Sequence, residues 1–124
     1  MCLVAGDEPN TSIRAAIDDY VKANQTSFAL QPTFQVSNPY TLVPRQDLSR
    51  LIGGTWDKFH ATYPKSGGIR TFSAVGFNNT KTVAVVYYSQ EGNVFGGSGA
   101  ILLLQRVDGK WKESPSKAMC RWIA

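Results

Sequence analysis

The stretch EGNVFGGSGAILLLQRVDGKWK, residues 91–112, decides how the C-terminal half of this chain is read. Gly92, Gly96, Gly97 and Gly99 stand just before an aliphatic run, the composition of a phosphate-cradling loop. Such a loop also needs a lysine followed by serine or threonine, and a helix whose first N–H groups face the anion. Neither follows here; Ala100-Ile101-Leu102-Leu103-Leu104 is a strand pattern. The glycines are therefore read as a turn or bulge, where positive φ and close backbone approach are needed. That makes the segment a hairpin connection between antiparallel strands at about 82–90 and 99–107. Asp108-Gly109, set between apolar runs, predicts a second hairpin with a two-residue turn.

Working outward, the twofold period begins after Ser66-Gly67-Gly68. IRTFSAVGFN (69–78), TVAVVYYSQ (82–90), GAILLLQRV (99–107), KWKES (110–114) and AMCRWI (118–123) read as successive strands. The joints are Asn78-Asn79-Thr80-Lys81, the glycine-rich loop, Asp108-Gly109 and Ser114-Pro115-Ser116. Upstream the period is helical. Ile13, Ala16, Ile17, Tyr20 and Val21 form one apolar face, with Thr11 or Ser12 as the expected cap. The alternation in TFQVS (33–37) suggests a short strand closed by Asn38-Pro39. Pro44 opens a short helix carrying Leu48, Leu51 and Ile52, ended by Gly53-Gly54. Thr55 then caps a helix with Trp56, Phe59 and Tyr63 on one face. Helices at one end of the chain and strands at the other predict an α+β fold. The expected architecture is N-terminal helices packed on a curved antiparallel sheet, cone-like or cystatin-like.

Composition sets the outer bounds. The 124 residues, 43% hydrophobic and 18% charged, predict one folded domain over 1–124, with residues 1–9 as a flexible lead. No apolar run reaches the roughly 18 residues of a membrane span. The net charge of +4 is concentrated after Lys65, but its basic residues stand singly, so nucleic acid is not an expected partner. MCLVAGDEPN lacks the charged and apolar regions of a signal peptide, which leaves two compartments open: the cytoplasm, or export with the signal removed. Cys2 and Cys120 lack metal-ligand spacing. A disulfide between them would need an oxidising compartment; the alternation around Cys120 favours a small core or interface residue.

Three segments together resemble a group of small, mostly uncharacterised bacterial domains: YPKSGGIRTFSAVGFNNTKTVAVVYYSQ (63–90), GGSGAILLLQRVDGKWK (96–112) and CRWIA (120–124). The resemblance covers about residues 56–124 and is carried by Ile69, Thr71, Phe72, Ser73, Gly76, Phe77, Asn78, Gly97, Gly99, Gly109, Lys110, Trp111 and Trp122. Members of the group are often exported and often carry cysteines in the glycine loop, where this chain has Asn93, Val94 and Phe95. The resemblance implies no catalytic residues. The order of elements is also similar to the cone fold of the nuclear transport factor two and ketosteroid isomerase superfamily, a scaffold that hosts enzymes and binders alike.

Candidate chemistry is sparse. His60 is the one histidine, and Asp57, three residues earlier on the same predicted helix, is placed to orient it as a general base. Asp18 and Asp19 are adjacent, so on a helix they diverge and form a solvated face. No cluster of ligating residues suggests a metal, and nothing calls for a cofactor. The aromatic residues are more informative. In a curved sheet some would rim a pocket at the open end, with Tyr87 or Tyr88 and the loop bearing Phe95 as the expected binding residues. AVVYY and AILLL are apolar on both faces, which predicts a homodimer through the sheet. The leading expectation is a non-catalytic module that binds a small-molecule ligand or a protein partner. The alternative is a cone-fold isomerase, dehydratase or hydrolase using His60 on a small apolar substrate.

Overall fold

A computed structural model describes residues 9–26, 30, 34, 36–37, 39–52, 56–93 and 96–123. Among the described residues three helices precede five strands: α1 Thr11–Ala23, α2 Arg45–Ile52, α3 Asp57–Thr62, β1 Ile69–Phe72, β2 Gly76–Phe77, β3 Val83–Asn93, β4 Gly96–Val107 and β5 Lys110–Ile123. The sheet is antiparallel and open, in the order β1-β3-β4-β5, with β2 pairing with β3 beyond the end of β1. This is the α+β arrangement that the change of period predicts, with the helices N-terminal to the sheet.

The Oδ1 of Asn10 begins α1 by accepting from the N–H groups of Ser12 (3.0 Å) and Ile13 (3.1 Å). Asn10, in extended conformation just before the helix, is therefore the cap; Thr11 and Ser12, expected to cap, already lie inside the helix. Pro44 directly precedes α2, where its carbonyl accepts from Asp47 N–H at 2.9 Å. The expected stops Gly53-Gly54 and the expected cap Thr55 lie outside the described residues. α2 and α3 pack on each other. No strand forms at Phe34, Val36 or Ser37. The N–H of Phe34 donates to the hydroxyl of Tyr40 (3.0 Å) rather than to a ladder, so the alternation there reflects ring packing.

β3 and β4 pair as the expected hairpin, but Gly92 lies within β3 and Gly96, Gly97 and Gly99 within β4, while residues 94–95 lie outside the described residues. The pairing extends as far as Asn93↔Gly96, with a bulge between Glu91 and Asn93. Asp108 (φ 52) and Gly109 (φ 76) make the turn between β4 and β5, both left-handed as this two-residue hairpin demands. The turn before β3 is built on buried Asn78, whose Oδ1 accepts from Thr82 N–H (2.9 Å) and Val83 N–H (2.8 Å).

Two strand boundaries differ from expectation. The run 69–78 is interrupted at Ser73-Ala74-Val75, where Ser73 Oγ takes the N–H of Tyr87 (2.8 Å) that a strand carbonyl would otherwise accept. Conversely, the expected break at Ser114-Pro115-Ser116 is absent. β5 runs through it as one strand at the end of the order, with the extra residues taken up in register shifts opposite Leu102 and Leu104. Among the described strands β5 pairs with β4 alone, and a strand with one side outside the ladder tolerates proline. Cys120, expected as a core or interface residue, is half-buried and disulfide-bonded. Cys2 lies outside the described residues. Alternation fixes the face a cysteine takes, but not the partner of its sulfur.

The core forms where Ile13, Ala16 and Ile17 of α1 meet Val83 and Val85 of β3 and Leu103 of β4, flanked by Tyr20 and Ile101. On the opposite sheet face Ala84 (1% exposed) and Ala100 (7%) are also buried within the single chain. Part of the second apolar face is thus covered without a partner.

α1 reaches β2 without a side chain between them. A Cβ on Gly76 would lie 2.2 Å from Tyr20 N and 2.5 Å from Ala16 O, so only glycine lets the helix backbone approach. The exposed side of this join is closed by polar groups. Asp19 Oδ2 accepts from Phe77 N–H (2.8 Å), and the Asn24 amide grips both sides of Ala74, accepting from its N–H (2.9 Å) and donating to its carbonyl (3.0 Å). Gly76→Ala is therefore expected to destabilise by about 1–3 kcal/mol through overpacking. Asn24→Ala should cost about 1–3 kcal/mol by orphaning the Ala74 peptide. Gly67→Ala, with open space around its Cβ, should be close to neutral. Urea denaturation midpoints check all three.

Candidate functional site

The interruption of the first strand produces a concavity among the described residues. Because Asn24 takes up the Ala74 peptide, residues 73–75 leave the sheet and become a wall facing Ala23 and Thr26 at the end of α1. Leu30 and Phe34 close the opposite side, and Val86 with Phe77 forms the floor. The result is an open groove of about 620 Å³ whose lining, among the described residues, is almost wholly apolar and has no titratable side chain.

Its rim is aromatic. Phe34 (41% exposed) stacks on Phe72 (37% exposed) with ring centroids 5.9 Å apart, and Tyr40 meets Phe34 edge-on at 5.5 Å. Phe72 in turn contacts Tyr88 at 5.2 Å. The Arg70 guanidinium donates to the Tyr88 hydroxyl and lies over its ring, 6.0 Å from the centroid. At the other end Phe77 contacts Trp111 at 5.8 Å and carries the Lys81 ammonium over its ring at 5.7 Å.

Of the sequence-predicted residues that are described, Tyr88 alone adjoins the groove. His60 and Asp57 are exposed on α3, where His60 contacts the rings of Phe59 (5.4 Å) and Trp56 (6.2 Å). No hydrogen bond or ion pair joins Asp57 to His60. Tyr87 and Tyr88, being consecutive in a strand, point to opposite faces and cannot share one rim. Tyr87 belongs to the α1 side, where its hydroxyl accepts from Trp122 Nε1 (3.0 Å) above Gly99. Tyr88 alone reaches the aromatic row beside the groove. Phe95 lies outside the described residues. Among the described residues, no group of three or more His, Cys, Asp or Glu side chains could hold a metal ion. No helix among them is long and apolar enough to cross a membrane.

Sequence reading missed Phe34, Phe72 and the wall at residues 73–75. The one available signal was the aromatic content of residues 34–40, whose alternation looks like a strand. No protein-family model matches this chain, and no curated protein or solved structure shows significant similarity to it.

Exposure on α3 carries an expectation of its own. His60→Ala and Asp57→Asn should each change stability by no more than about 0.5 kcal/mol. Gly99→Ala should destabilise and alter tryptophan emission, since the added Cβ would lie 2.1 Å from Trp122 Nε1. Thermal melts followed by fluorescence separate these outcomes.

Proposed function

We propose that the chain is a non-catalytic binding module whose groove beside Phe72 takes a small apolar molecule. The observation that carries this reading is the groove itself. Its volume of about 620 Å³ is of the size that encloses small ligands, and its described lining is apolar apart from the hydroxyls of Thr26 and Ser73, with no carboxylate, histidine, lysine or cysteine among those residues. Exposed rings at its rim, Phe34 and Phe72, are costly to leave in water and gain by being covered. The enzyme alternative is less well supported, because His60 does not line the groove and has no bonded carboxylate to orient it.

The homodimer expected from the strand composition is a competing use of the same face. Two copies meeting there would cover Phe34 and Phe72 and close the groove. Titration with an uncharged, environment-sensitive naphthalene dye tests the choice. Saturable one-to-one binding, weakened at least tenfold by Ala23→Trp, is expected, since Ala23 is exposed at the groove edge and can carry a larger side chain without entering the core. Absence of saturable binding, together with sedimentation as a dimer at micromolar concentration, would replace the ligand reading with the dimer.

A further inference from the structure

The rings that leave the groove lead to a cation. Tyr40, Phe34, Phe72 and Tyr88 touch in sequence, and the row ends at Arg70. Strand register explains the line. Phe72 is paired with Tyr88 and Arg70 with Gln90, so alternation puts all four on the sheet face that also carries Val86, the groove floor. Glu91, the nearest carboxylate along β3, falls on the other face by the same alternation.

Arg70 is held in place but not neutralised. Its guanidinium donates to the Tyr88 hydroxyl, which donates onward to Gln90 Oε1 at 3.3 Å. A guanidinium has five N–H donors, so most remain for another acceptor. Among the described residues no carboxylate pairs with it; the ion pairs there are Arg50–Asp47 and Arg121–Glu113. A molecule seated in the groove and extending past Phe72 therefore meets an oriented, exposed positive charge after an unbroken apolar path.

On the reading that the groove binds small apolar molecules, we propose that its ligand is an elongated amphiphile, with an apolar chain in the groove and an anionic head group paired with Arg70. Fixed placement of the cation favours a carboxylate or phosphate head that accepts two parallel N–H bonds. The same chain with a neutral head loses that pairing and keeps the apolar contact.

Displacement of the naphthalene dye by dodecanoate and by dodecanol, both below their aggregation limits, tests this on the whole chain. The wild type should bind dodecanoate about tenfold more tightly than dodecanol, the effect of one charge-assisted pair. Arg70→Gln should bring that ratio close to one while leaving dodecanol affinity unchanged, and Arg70→Lys should retain part of it. Raising salt should shrink the ratio in the wild type. Equal affinities in the wild type, or a preference that survives Arg70→Gln, would overturn the proposal and leave the groove reading standing. Failure of both compounds, with dye binding indifferent to Ala23→Trp, would remove the groove reading and this inference with it.

Discussion

Gly76 lets the backbone of α1 touch the backbone of β2, and much of the structure follows from that approach. A side chain there would hold the helix away from the sheet, separating Ala16 and Ile17 from Val83 and Val85. Close contact has a second effect. The outer edge of residues 74–77 has no neighbouring strand among the described residues, yet helix side chains meet its peptide groups: Asp19 takes the N–H of Phe77, and Asn24 takes both groups of Ala74. A helix thus does for this edge what a further strand would do, which meets the demand that polar backbone groups be paired.

That substitution explains why the fold was largely legible in the sequence while the groove was not. Period is a local property, so Ile13, Ala16 and Ile17 announced a buried helix face and the valines and leucines of 83–104 announced strands. Asp108-Gly109 declared its own turn because few other residue pairs accept both angles. By contrast, Asn24 and Ala74 are far apart in the chain, and nothing in TFSAVGF marks the alanine as captured by a distant amide. Ser73 likewise reads as an ordinary strand residue, although its hydroxyl replaces a ladder acceptor. Ser114-Pro115-Ser116 misled in the opposite direction. Turn chemistry predicts a break, and only the position of β5 at the end of the order shows why the strand continues.

The same reasoning separates the candidate residues. His60 drew notice because its chemistry is versatile, but a titratable group needs a neighbour to direct it, and Asp57 and His60 are both exposed on a short helix without a bond between them. The tyrosines drew notice for their number, and strand parity then divides them. Tyr87 is committed to Trp122 and the packing over Gly99, while Tyr88 faces the aromatic row with Arg70. One residue of shift along the chain decides which face of the sheet each tyrosine serves.

Groove and helix anchor share their parts, which has consequences for how binding would act on stability. Ala23 and Ala74 line the cavity, and Asn24, between them in space, caps the end of α1 through the carbonyl of Tyr20 (2.8 Å) while gripping Ala74. A ligand that fills the space between Ala23 and Ala74 therefore contacts the two elements this amide ties together. Opening of the clamp would destroy the groove wall, so a ligand seated there would bind only the closed form and would add its binding free energy to the clamp. The coupling would also run the other way: loosening Asn24 would lower the population able to bind, and apparent affinity would fall by that fraction even though Asn24 itself is not among the residues that line the groove.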